Sequence, residues 1–171
     1  MEIFIMNLKP LIAFSTLFAL SSGASALEVK FTESAWDGKI IPEGQQCQKF
    51  GGDNPMTPKL MVLDIPAGSD AIMLEYSDRD SEKMNNGGHG IMKYSLTSPG
   101  MMVQIPSVPG HTFSLPDRFT MMEAHRSPGW DIAGAYMPPC SGAKNHEYYL
   151  TVKAVKGDQV NAETVIEMGK Y

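Results

Sequence analysis

Short apolar runs of strand length, each closed by glycine, proline or a small polar cluster, most constrain how this chain folds. Leu27–Thr32 alternates apolar and polar side chains, the pattern of a half-buried strand. Lys59–Leu63 and Ala71–Tyr76 are strand-length apolar runs, and Asp64-Ile65-Pro66-Ala67-Gly68 between them reads as a turn. Gly90–Leu96 is a further strand. Glu147–Val155 is the strongest, aromatic and β-branched until Lys156-Gly157-Asp158 stops it. Thr164–Met168 is expected to be the last. The 16 glycines and 12 prolines are spread along the chain, as turns between many short strands require. The expected fold class is therefore mainly β, an antiparallel β-sandwich with few short helices. Residues 106–145 differ: rich in Pro, Gly, His and Ser, with little periodicity. Only Asp117–Ala124 reads there as a short helix. A long irregular segment of this kind is often a functional surface.

The N-terminus reads as a cleavable signal peptide over residues 1–26. Lys9 precedes an apolar run, Leu11–Leu20, too short for a membrane that needs about 20 helical residues. Ser21-Ser22-Gly23 break the run, and Ala24-Ser25-Ala26 offer the small residues that signal peptidase reads. Glu2 is unusual in such a region; a start at Met6 would give a cleaner basic one. Cleavage after Ala26 would leave residues 27–171 as one β domain, periplasmic or secreted. That segment keeps the net charge of −5, since Glu2 and Lys9 cancel. A mildly acidic surface argues against nucleic acid and anionic membranes as partners. No later stretch is apolar enough to be a transmembrane segment.

The only two cysteines, Cys47 and Cys140, both lie in the expected mature part. In an oxidising compartment two cysteines most often pair; the alternative is two free buried thiols. There is no C-x-x-C for a thiolate metal site.

Of four histidines, two stand at strand ends. His89 follows Asn85-Asn86-Gly87-Gly88 and precedes a strand, and His146 opens the strongest one. Asp78-Arg79-Asp80 closes the strand that starts at Ala71. Strand ends meet at a sandwich rim, where a carboxylate and two imidazoles would form an anion pocket. The same three residues, Asp78, His89 and His146, would also suit zinc or copper. Among 13 methionines, the pairs Met101-Met102 and Met121-Met122 are expected to fill the core rather than to bind copper. No G-x-S-x-G and no Gly-rich phosphate loop is present, so no enzyme activity and no cofactor are expected.

In order and spacing these features resemble the phosphatidylethanolamine-binding protein family, in its short bacterial Raf-kinase-inhibitor-like branch. Its Asp-Pro-Asp-x-Pro segment, followed about eleven residues later by a His-Trp pair, is similar to Asp78-Arg79-Asp80-Ser81-Glu82 and His89-Gly90. Its Gly-Gly-Asn-x-Ser-Pro-x-Leu segment and Val-Pro-x-Gly turn are similar to Gly51–Leu60 and Ile65-Pro66-Ala67-Gly68. Its Gly-Pro-Cys-Pro-Pro-x-Gly-x-His-Arg-Tyr segment is similar to Met137–Tyr148, with Cys140, His146 and Tyr148 in register. The resemblance implies a sandwich with a small pocket at one end for phosphate, acetate-like anions or phospholipid head groups. Carried over by position, its walls are Asp78, His89, His146 and Tyr148, with Pro138 and Pro139 nearby. A peptide or protein partner is the other implied ligand. The resemblance also favours a Cys47–Cys140 bridge. The chain departs from the pattern at Arg79 and Glu82, where the prolines stood, at Gly90 in place of tryptophan, and in having its prolines before Cys140. The family's C-terminal helix has no counterpart between Gly157 and Glu163. These departures imply a pocket more open, differently selective or inactive.

Overall fold

The computed structural model describes Met1, residues 26–98 and residues 100–171. The expected signal peptide falls almost wholly outside the described residues. Among the described residues no helix is long and apolar enough to cross a membrane.

The described residues form eight strands in two antiparallel sheets: β1 (Glu28–Phe31), β2 (Leu60–Leu63), β3 (Ala71–Asp78), β4 (Gly90–Ser95), β5 (Met102–Ile105), β6 (Phe119–Glu123), β7 (Glu147–Lys156) and β8 (Gln159–Lys170). One sheet has the order β1-β2-β5, the other β6-β4-β3-β7-β8. The helical turns described are two short 3-10 turns, Gln48–Phe50 and Glu82–Met84. The antiparallel β-sandwich expected from the strand pattern is the architecture observed.

Period-two alternation places the core. Ile72, Leu74 and Tyr76 of β3, Met92 and Tyr94 of β4, and Leu150, Val152 and Ala154 of β7 are buried on one sheet face. They meet Leu60 and Val62 of β2 and Ile105 of β5 from the other sheet. The rings of Tyr76 and Tyr136, both in this core, meet at a tilt with centroids 4.9 Å apart.

Three sequence expectations need correction, and one strand carries no signal in the sequence pattern. Asp117–Ala124 is not a helix: Phe119–Glu123 pairs with β4, Tyr94 opposite Phe119. Pairing to an existing strand and the Tyr94–Phe119 ring contact outweigh the helix preference of two methionines and a glutamate. Met102–Ile105, which carries a glutamine in its middle, is a strand too. The last strand starts at Gln159, so β7 and β8 form a hairpin whose turn is Gly157-Asp158, with Gly157 at φ +56. The paired methionines are not core. Met101, Met102, Met121 and Met122 are exposed, on or beside the edge strands β5 and β6.

Cys47 and Cys140 form a disulfide, with Cα atoms 5.2 Å apart. It ties the segment before β2 to the irregular segment before β7.

Candidate functional site

Sheet register alone brings the expected site together. Asp78, the last residue of β3, pairs with Tyr148 at the start of β7. Tyr76 pairs with Gly90, the first residue of β4. The end of β3 and the starts of β4 and β7 therefore share one edge of the sandwich, and Asp78, His89, His146 and Tyr148 line one cavity of about 350 Å³ there.

The carboxylate of Asp78 is buried and engaged on both oxygens. Oδ2 accepts from His146 Nδ1 at 2.7 Å, and Oδ1 accepts from the amide of Asp80 at 2.8 Å. Asp80 in turn accepts the amide of Glu147 at 2.7 Å, which locks the 78–80 turn to the start of β7. This pairing fixes the orientation of the His146 ring and leaves Nε2 as its free nitrogen.

His89 is held by a loop. Its Nδ1–H donates to the carbonyl of Met137 at 2.7 Å, and the amide of Met137 donates to the carbonyl of His89 at 2.9 Å. Gly90 makes this approach possible. A Cβ at that position would lie 2.0 Å from the carbonyl oxygen of Ala135, and its φ of +124 suits glycine. Glycine in the tryptophan position is thus what admits the loop backbone. Burial drives the imidazole pKa down to about 4, outweighing the Met137 carbonyl and Asp78, which favour the charged form. With Nδ1 as the donor, neutral His89 offers a lone pair at Nε2.

Tyr148 packs edge-on to His89 at 5.3 Å and accepts the amide of Cys140 at its phenolic oxygen, 3.1 Å away. Burial raises the phenol above its ordinary range, so it stays protonated. The rest of the lining comes from the two loops: Ser81, Lys83 and Met84, then Ser127, Trp130, Met137, Cys140, Ser141 and Lys144. Pro138 and Pro139 are buried but do not line the cavity. The carbonyl of Pro139 instead accepts the amide of Cys47 at 2.9 Å, bracing the disulfide.

The trio of the alternative metal reading, Asp78, His89 and His146, does not form a close set of ligand atoms. The ligand atoms within 4.8 Å of one another at this edge come from Asp78, Asp80 and His146, and His89 is not among them. The other close set, Cys47, Asp131 and Cys140, has both sulfurs in the disulfide.

Sequence reasoning missed Trp130, Lys83, Lys144 and Met84 as lining residues, because no local motif marks them and only the path of the loops brings them in. It also missed a buried hydrogen-bonded pair, His111 Nε2 with Asp131 Oδ2 at 2.6 Å. With His125, whose Nε2–H donates to the carbonyl of Ile132 at 3.0 Å, this pair holds the irregular segment in shape behind the pocket.

The architecture is the one found in phosphatidylethanolamine-binding proteins. A phosphatidylethanolamine-binding protein homologue from Chlamydia trachomatis D/UW-3/CX superposes with a TM-score of 0.50 and 20% identity, covering 85% of this chain and 97% of its own. E. coli YbcL, described as a member of the mammalian family of that name, gives a TM-score of 0.51 and 18% identity over 79% and 80% of the two chains. No protein-family model matches the sequence, and no curated protein matches it significantly. What is shared is the fold, and it agrees with the resemblance read from the motifs.

Proposed function

We propose that the chain is an exported, non-enzymatic binding protein of the phosphatidylethanolamine-binding family whose pocket takes a small anion or a phospholipid head group. The observation that carries this reading is the convergence of Asp78–His146, His89 and Tyr148 on one cavity at the sandwich edge. His146, held by Asp78 through Nδ1, presents its free Nε2 to the anion; the Tyr148 hydroxyl and Lys144 add donors. Asp78 orients the imidazole and does not itself touch the ligand. The fold shared with the Chlamydia and E. coli proteins supports the family assignment, and the disulfide suits an oxidising compartment.

Titration with phosphoethanolamine, followed through the imidazole resonances, tests it. Both His89 and His146 are expected to shift in a saturable way, and His146→Ala is expected to weaken binding about tenfold or more, the loss of one charge-assisted hydrogen bond. Unmoved resonances at millimolar ligand would overturn the reading. Export is tested separately: mass spectrometry of the expressed protein is expected to find Leu27 as the first residue.

A further inference from the structure

The irregular segment holds a buried polar pair that the anion pocket does not use. His111 has a backbone φ of +60, a left-handed conformation that a residue with a side chain adopts only under constraint. Its Nδ1 is buried without a partner. Both features accompany one contact, Nε2 with Asp131 Oδ2 at 2.6 Å, where the two side chains are only 5% and 3% exposed. A carboxylate this deep needs donors or a cation to offset its lost hydration.

Beside that carboxylate lies the disulfide. One oxygen of Asp131, Cys47 Sγ and Cys140 Sγ are all within 4.8 Å of one another. Bridged sulfurs have no proton to donate and no charge, so the bridge does nothing for the carboxylate. The dithiol form differs. Its thiols give up their protons to a divalent cation, and two thiolates and a carboxylate are then three ligands already gathered. Ligand atoms around a tetrahedral zinc are about 3.6–3.8 Å apart, so this trio needs only ångström-scale shifts. Each residue also keeps a contact that is independent of the S–S bond. The amide of Cys47 donates to the carbonyl of Pro139 at 2.9 Å, and that of Cys140 to the Tyr148 hydroxyl at 3.1 Å. The amide of Asp131 donates to the carbonyl of Ser127 at 3.3 Å, and that of His111 to the carbonyl of Tyr136 at 3.2 Å. His111 holds the carboxylate from its far side, the part a ring nitrogen plays behind a metal ligand.

We infer that Cys47, Cys140 and Asp131 form a zinc site in the dithiol form of this chain, with His111 as its positioning residue, so that zinc and the disulfide compete for the same two sulfurs. Water, admitted from the cavity that Cys140 lines, takes the fourth position. A carboxylate in the set favours zinc over copper(I), which prefers sulfur ligands alone. Reduction by a dithiol such as dithiothreitol breaks the S–S bond and delivers two electrons and two protons to its sulfurs, leaving the reagent as a cyclic disulfide. Zinc then displaces both thiol protons.

Zinc titration of the chain against a competing chelator, oxidised and then reduced and freed of reductant, tests this. The reduced chain is expected to take up one zinc about a hundredfold or more tightly than the oxidised chain. Cobalt(II) in its place is expected to show a strong thiolate charge-transfer band and the visible bands of a tetrahedral ion. Asp131→Asn and His111→Gln are each expected to weaken zinc about tenfold or more. His111→Gln is expected to keep the charge-transfer band and shift the visible bands, which a general loss of fold would not do. Asp80→Asn, which alters the other close set at Asp78, Asp80 and His146, is expected to leave zinc uptake by the reduced chain unchanged. Zinc is also expected to slow reoxidation of the dithiol severalfold. If the reduced chain loses its fold, one equivalent of zinc is expected to restore a dispersed amide spectrum, and failure to do so overturns the inference. Equal uptake by the two redox forms, a cobalt complex without thiolate charge transfer, uptake lost in Asp80→Asn, or an affinity unmoved by Asp131→Asn overturns it as well.

Discussion

His89 shows how one backbone contact decides what a side chain can offer. A carbonyl oxygen can only accept, so the Met137 contact forces the proton onto Nδ1 and the lone pair onto Nε2. A dianionic ligand cannot approach that lone pair unless a proton comes with it. Binding of phosphoethanolamine at pH 7 is therefore expected to take up a fraction of a proton, measurable as a dependence of the calorimetric enthalpy on buffer ionisation; His89→Gln is expected to remove it. The same burial has a consequence for stability. The unfolded chain protonates this imidazole near pH 6.5, the folded chain only near 4. Between those values the unfolded state binds more protons, so stability is full above about pH 6.5 and falls as pH drops toward 4. The loss from this residue is on the order of 3 kcal/mol. His125, lowered chiefly by burial too, adds in the same direction. Thermal unfolding from pH 4 to 8 is expected to show the decline, and to show less of it in His89→Gln. A decline of the same size in that variant would show that His89 does not cause it.

At the level of elements, legibility followed how much of each strand's burial comes from its own pattern. β1, β2, β3, β4 and β7 carry their alternation or apolar run in the sequence, and the structure keeps them within one or two residues at most ends. β5 and β6 do not. Both are edge strands, largely exposed, and their conformation is supplied by the neighbours they pair with. That Asp78, His89 and His146 meet at one edge was legible because each stands at the end of a legible strand, whereas Tyr148 came only from the family resemblance. Trp130 and Lys144 were not, because nothing local fixes a loop's path. Gly90 joins the two levels. It begins β4, yet its missing side chain is what lets the loop reach His89. Gly90→Ala puts a Cβ against the Ala135 carbonyl at a φ that alanine resists, so a loss of about 3 kcal/mol or more is expected. Denaturant unfolding reads that loss. If the loop is pushed back, His89 loses the burial that lowers it and is expected to titrate closer to pH 6.5; a variant with unchanged stability and an unchanged His89 titration would refute this account of the glycine.

At the scale of the molecule, the pocket is the join between a rigid sandwich and a segment that has little core of its own. Strand ends supply Asp78, His146 and Tyr148; the segment from Ser127 to Lys144 supplies the opposing wall. Ala135 and Tyr136 anchor that segment in the main core, Met137 and Cys140 in the second apolar cluster, and the disulfide and the buried His111–Asp131 contact brace it further. The bridge closes 93 residues, a constraint worth roughly 4–5 kcal/mol of denatured-chain entropy in the simple loop model. Its local effect is separate. Cys140 holds Trp130 through its carbonyl and Tyr148 through its amide, so the bridge also fixes the width of the cavity. The double variant Cys47→Ser, Cys140→Ser is expected to lose several kcal/mol in denaturant unfolding yet remain folded at low temperature, because the main core does not include either cysteine. Under those folded conditions its phosphoethanolamine affinity is expected to fall several-fold, with the Trp130 indole resonance broadened. Unchanged affinity and a sharp indole signal would mean that the bridge serves global stability alone, and that the sandwich rim positions the pocket without it.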